Sequence, residues 1–164
     1  MIFDDLENKL KIFNSLNNYY FEIGILDEDR YRTVEVNVLN TDDSITKIEM
    51  QLEEVLYLTE HGTMTIPPRP ILQNTFGYIS NKLKAAIDEI FIGVFSKNWT
   101  EREIEVRLRD LERQIEAYIQ NQASAMVSSN ATLANIINVK DENKYLYDLN
   151  KLKSYIKCRI IKKF

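Results

Sequence analysis

The side chains able to do chemistry in this chain gather at Glu60-His61-Gly62-Thr63-Met64-Thr65-Ile66-Pro67-Pro68-Arg69-Pro70. These eleven residues hold the only histidine, all three prolines and one of four glycines. Glu60 beside His61 offers a general base with an orienting carboxylate, and His61 is the one imidazole available to a metal. Neighbouring residues at a helix end point in different directions, however, and no second ligand stands at metal-binding spacing. Cys158 is the single cysteine, which excludes an internal disulfide and a multi-cysteine zinc site. The sequence contains no Gly-x-Ser-x-Gly, Walker loop or Gly-x-Gly-x-x-Gly. The expectation is a non-enzymatic protein without metal or cofactor, in which His61 packs at a helix terminus.

Arg69 carries more of the argument. Proline fixes φ and removes a donor, and it pushes the preceding residue into extended backbone, so Ile66 to Pro70 is expected to be a stiff polyproline-like strut. Gly62 is free to turn left-handed just before it. The segment then holds one guanidinium at a set angle, for a carboxylate inside the fold or for a neighbouring subunit, where the planar fork outperforms lysine. A second candidate pair is Lys157 and Arg159, facing phosphate or paired with acids. From Lys151 onward there are six basic residues and no acid. Tyr145, Tyr147 and Tyr155 beside them would stack nucleobases in one reading and act as half-buried anchors in the other.

The elements that position these residues are read from periodicity. Leu6, Leu10 and Phe13 mark a short N-terminal amphipathic helix. Alternation at Phe21-Ile23-Ile25 and at Val34-Val36-Val38 marks two strands, expected to pair as a hairpin across Asp27 to Arg30. Ile45 to Met50 suits a strand or a helix start. Leu52, Val55, Leu56 and Thr59 mark a brief helix closed by Gly62. Leu72, Phe76, Ile79, Leu83, Ile87, Phe91 and Val94 mark a long helix that ends at Asn98-Trp99. A second long helix begins at the capping box Thr100/Glu103 and runs through Ile104, Leu108, Leu111, Ile115 and Tyr118. Glu103 with Arg107, and Glu105 with Arg109, are expected as pairs on its outer face. The two helices are expected to form an antiparallel hairpin, the alternative being that the stripe meets a second copy of the protein. Ala123 to Asn130 is small and polar, so the helix is expected to fray there into a loop reaching about residue 143, flexible or ordered by assembly. Ile156, Cys158 and Ile160 alternate with Lys157, Arg159 and Ile161 as a closing strand. The fold class is α+β: a small antiparallel sheet packed with two long helices and a short N-terminal helix, in one domain spanning 1–164.

Composition bounds the partners. The 164 residues are 45% hydrophobic with mean hydropathy −0.32, enough for a buried core. No apolar run approaches the ~20 residues that span a bilayer, and the acidic start lacks a signal peptide's basic region, so synthesis in the cytoplasm without a membrane partner is expected. Residues 1–60 carry 14 acids and 5 bases (−9), and residues 61–164 carry 11 acids and 16 bases (+5). That polarity favours stacking of copies or complementary docking. Net acidity argues against tight DNA binding.

Three separated pieces resemble the neck proteins of tailed bacteriophages, the head-tail connector or tail-completion family. Phe21-Glu22-Ile23-Gly24-Ile25 is similar to the family's opening valine/isoleucine-glycine strand. Val55 to Phe76 is similar to its "valine, x, x, x, histidine-glutamate-phenylalanine-glycine-threonine, short gap, isoleucine-proline-x-arginine-proline-phenylalanine-leucine": Glu60, Gly62, Thr63, Ile66, Pro67, Arg69, Pro70 and Leu72 match. Leu146, Asp148 and Leu152 match the closing "proline-leucine-isoleucine-aspartate-threonine-glycine-arginine-leucine", and Lys151 keeps its charge. Thr59, His61, Ile71, Tyr145 and Leu149-Asn150 depart from the pattern.

The resemblance implies a virion structural subunit at the head-tail interface, made in the host bacterial cytoplasm. It would form a homo-oligomeric ring, a hexamer or dodecamer, between the portal or connector proteins and the tail terminator or tail tube proteins. Genomic DNA would pass its channel without sequence-specific binding, and acidity suits such sliding, because repulsion acts over ~8 Å in physiological salt. Glu60, Gly62, Pro67, Pro68, Arg69 and Pro70 are then the expected subunit or partner interface, Lys157 and Arg159 the residues facing DNA or acids, and Gly24, Asp148 and Leu152 structural positions. Two alternatives remain. One is a tail terminator of a phage or contractile bacteriocin, and the other is a nucleic-acid-binding protein using the basic C-terminal strand.

Overall fold

Helical and alternating patterns both carry through into the computed structural model, which describes residues 2–39, 44–62, 68–137 and 149–163. Helix α1 (Ile2–Asn14) leads through a 3-10 turn (Ser15–Asn18) into β1 (Tyr19–Ile25), β2 (Thr33–Leu39) and β3 (Ile45–Gln51). Then come α2 (Leu52–His61), α3 (Ile71–Lys97), α4 (Glu101–Ile137), α5 (Leu149–Tyr155) and β4 (Ile156–Lys162). The fold is α+β, with two two-stranded sheets, β1–β4 and β2–β3. The chain divides into two compact units, residues 1–22, 76–116 and 158–164 in the first and residues 23–75 and 117–157 in the second.

The expected hairpin between Phe21–Ile25 and Val34–Val38 is not the pairing found. β2 instead pairs antiparallel with β3, in a register that sets Val34 opposite Met50 and Val36 opposite Ile48. The link from β2 to β3 is shorter than that from β1 to β2, and this register sets Val34, Val36, Ile48 and Met50 on one face. Glu35 faces Glu49 across the pair, a like-charge opposition offset by Lys47 Nζ, 2.7 Å from Glu35 Oε1. β1 pairs with β4 at the far end of the sequence. Lys163 N–H donates to Asn18 C=O at 2.6 Å, so the start of β1 lies beside the end of β4 and the pair runs antiparallel.

In the first unit α3 and α4 enclose a dry cluster of Ile90, Val94, Ile104 and Leu108, with Phe13, Leu16, Tyr19, Phe21, Trp99 and Ile160 packed against it. Each fully buried aliphatic side chain of this kind contributes about 1.5–3 kcal/mol relative to exposure. Arg107 Nε reaches from α4 to Glu89 Oε2 on α3 at 2.6 Å and also meets Asp110. The expected Glu103–Arg107 pair is therefore replaced. Glu103 is occupied at the helix start, where Thr100 N–H and hydroxyl both donate to its carboxylate. The Glu105–Arg109 pair forms at 2.9 Å.

In the second unit Leu52, Val55, Leu56, Ile71, Ile119, Leu152 and Ile156 are buried. Glu54 accepts from Gln51 N–H at 3.2 Å at the start of α2, and Leu52 N–H donates to Arg32 C=O at 2.8 Å. Arg30 grips Glu53 with two nitrogens, at 3.0 and 3.3 Å. Gln120 Nε2 donates to Lys153 C=O at 2.7 Å, tying α4 to α5.

The expected fraying at Ala123 to Asn130 does not occur, because α4 continues as helix to Ile137. That stretch holds neither glycine nor proline, and its alanines are strong helix formers. The rest of the expected loop, from 138 on, lies outside the described residues, as do Tyr145, Leu146, Tyr147 and Asp148.

Candidate functional site

The proline segment is the site the residue types single out, and α2 and the first turn of α3 hold it from either side. α2 ends where Gly62, at φ 73°, leaves the helix and its N–H donates back to Leu58 C=O at 2.8 Å. A side chain rarely adopts this backbone, which is why glycine stands there. Residues 63–67, including Pro67, lie outside the described residues. When the chain is next described, Arg69 N–H donates to Thr59 C=O of α2 at 2.7 Å, and Ile71 N–H to Arg69 C=O at 2.9 Å. Pro70 C=O then accepts from Asn74 N–H at 3.1 Å, opening α3.

Glu60 closes this joint. Its carboxylate accepts Leu72 N–H at 2.6 Å through Oε1 and Gln73 N–H at 3.4 Å through Oε2. Both donors are first-turn amides that no intrahelical carbonyl can satisfy, and the helix dipole favours an anion there. α3 has no acid of its own in that turn, so the charge comes from the preceding helix. Beneath it, Thr59 and Thr75 are buried, and each turns its hydroxyl to the carbonyl four residues back, Val55 at 2.7 Å and Ile71 at 2.6 Å. Both buried threonine hydroxyls are thus satisfied by the backbone of their own helix.

Pro68 is exposed, while Pro70 and Arg69 are half-buried, with Arg69 Nε out of solvent. What the geometry fixes most firmly is the backbone of Arg69. His61 is exposed and its ring lies 4.5 Å from that of Tyr57, one turn earlier on α2, the terminal packing expected of it. Among the described residues no group of three metal-ligating side chains converges.

The other sequence-derived positions fall elsewhere. Gly24 is buried in β1 with φ 138°, a conformation that side chains resist although a Cβ there would meet no atom within 4 Å. Leu152 is fully buried in α5. Lys157 lies 3.9 Å from Asp29 Oδ2, and Lys162 is 3.5 Å from Glu101 Oε2, with Tyr19 and then Glu101 raising its pKa. Arg159 is half-buried. Arg32 lies over the Tyr155 ring at 5.0 Å, so this tyrosine's face is taken by a cation of the fold. Cys158 is buried, and desolvation together with Glu112 and Glu116 pushes its thiol up to about 12, the mark of a structural cysteine rather than a nucleophile.

Two contributors escaped the sequence reading. Glu60 was singled out as an interface residue, but its cap on α3 spans twelve positions and no short motif encodes it; the only hint is a helix start lacking acid. Gly93 was not singled out at all. Trp99 presses its indole against this glycine so closely that a Cβ there would lie 2.3 Å from the ring.

Comparison with protein-family models, with curated proteins and with solved structures finds no match to this chain. No helix among the described residues is long and apolar enough to cross a membrane.

Proposed function

We propose that this chain is a structural, non-enzymatic subunit of the neck of a tailed bacteriophage, joining the portal or connector assembly to the tail around the DNA channel. The reading rests on the three ordered motifs, and one observation carries it. Within the motif, Glu60 on α2 caps α3 through Leu72 N–H, while the backbone N–H of Arg69, in the most specific piece, is locked to Thr59. A motif that spends its polar groups on holding two helices at a set angle serves assembly better than turnover. Lys157, one of the two cations on which the nucleic-acid reading rests, lies beside Asp29 instead, which weakens that alternative.

Deletion of the gene from its phage tests the proposal. Electron microscopy should show DNA-filled heads and separate, complete tails, with infectivity restored by the intact gene supplied in trans. Joined, infectious particles from the deletion would refute it.

A further inference from the structure

We propose that a second copy of this chain covers the apolar face of α1, by antiparallel pairing of the two α1 helices. Phe3, Leu6, Leu10 and Phe13 follow one another at intervals of three, four and three, which places them on a single stripe. The C-terminal end of that stripe is used within the fold. The Phe13 ring lies 5.6 Å from Phe91 and 6.0 Å from Phe95, against the core of the first unit. Toward the N-terminus the same stripe runs out uncovered, with Leu10 43%, Leu6 47% and Phe3 82% exposed, and Phe91 and Ile87 on α3 remain 51% and 39% exposed.

Size argues for a protein partner. With ~200 Å² for a large side chain, these five residues leave about 500 Å² of apolar surface. That is near the upper end of the largest patch on a typical monomer, roughly 300–600 Å². It also matches the apolar share, a little over half, of the ~800 Å² that each partner of a standard interface contributes.

The order of charges argues for a second copy and for its direction. Asp4, Asp5 and Glu7 flank the first half of the stripe, and Lys9 and Lys11 flank the second. Parallel pairing would set acid against acid. Antiparallel pairing sets each acidic half against the basic half of its mate, twice over about one two-fold axis, and opposes the helix dipoles. Lys9 already meets Asp5 at 3.0 Å within its own helix, so the cross-helix attraction falls chiefly to Lys11. This two-fold contact does not depend on the head-tail reading, since it forms whether or not a ring does.

Sedimentation velocity on the full chain tests it. The chain should show a concentration-dependent species of twice its 19.3 kDa mass. Leu6→Asp with Leu10→Asp, which would bury charge in the contact, should weaken association ~100-fold or more with the helical circular dichroism unchanged. The charge-reversed sets Lys9→Glu/Lys11→Glu and Asp4→Lys/Asp5→Lys/Glu7→Lys should each be monomeric alone and associate when mixed. These sets lie on the polar flank, so they decide the matter even if the leucine changes disturb folding. A chain that stays monomeric at all concentrations overturns the proposal and leaves the face to a different protein. Association that survives the leucine changes in a folded chain, or reversed sets that stay apart when mixed, overturns it as well.

Discussion

Helix α3 is entered and left through two joints built on opposite principles. At its start, Gly62 to Pro70 is a long link, and the helix takes its anionic cap from Glu60, twelve residues upstream on another helix. At its end, Asn98 to Thr100 is a three-residue link capped from within. Asn98 turns left-handed at φ 56°, Trp99 N–H donates to Gly93 C=O at 3.0 Å, and Glu103 caps α4 through Thr100. The short joint is a local motif that any helical hairpin can use. The long joint makes its angle depend on residues far apart in sequence, so its geometry survives only if the whole set is present. That is the property expected of a part that must present the same shape to every neighbour.

The largest test of this contrast is at the short joint. Gly93→Leu drives a side chain into the space the Trp99 indole fills, 2.3 Å from where a Cβ would sit. It should lower stability by about 3 kcal/mol, read as a fall in the urea midpoint. Adding Trp99→Ala should give part of that loss back, because the two residues occupy one space. Equal losses with and without the tryptophan would mean that the ring does not set the turn, and the keyed character of the short joint would be withdrawn.

The two joints also differ in how far the sequence disclosed them. Thr100/Glu103 is a spacing of three, so the cap and the helix break at Asn98-Trp99 were both legible. The α+β class and the places of β1, β2 and β4 were legible too, because alternation is a local property, whereas Ile45 to Met50 suited a strand or a helix start equally and became β3. Which strands pair was not, since β1 takes its partner from the last residues of the chain and alternation says nothing about distance. The same limit hid the role of Glu60. Its bond to Leu72 depends on where the proline segment delivers α3, and nothing within four residues of either partner signals it. α4 ran past Ala123 to Asn130 for the opposite reason: small polar residues were read as a break, but no glycine or proline enforces one.

A smaller effect is expected at the long joint. Glu60→Ala removes the acceptor for two first-turn amides, and such caps contribute about 1–2 kcal/mol. Its readout is site-specific. In hydrogen exchange, Leu72 and Gln73 amides should lose roughly tenfold in protection, the equivalent of ~1.4 kcal/mol, while Ile104, behind the other cap, stays unchanged. A uniform loss across α3 and α4 would make Glu60 a contributor to general stability rather than the closing element of one joint.

The smallest effect separates the joints by pH. Hydrogen bonds from the Thr100 hydroxyl and backbone N–H hold the Glu103 pKa below its ordinary 4.5. A depressed folded-state pKa means that the ionised carboxylate favours the native state. Its contribution is therefore complete above pH 4.5 and is lost as pH falls through the folded value. Glu103 is surface-exposed, so the change in melting temperature is small, but its direction is set. Glu103→Gln should lower the melting temperature at neutral pH and converge with the parent chain in acid. It should also raise the exchange rate of the Thr100 amide at neutral pH. A Glu103→Gln chain whose acid-induced loss of stability runs parallel to the parent's would show that this cap contributes nothing through its charge. The short joint would then rest on Asn98, Gly93 and Trp99 alone.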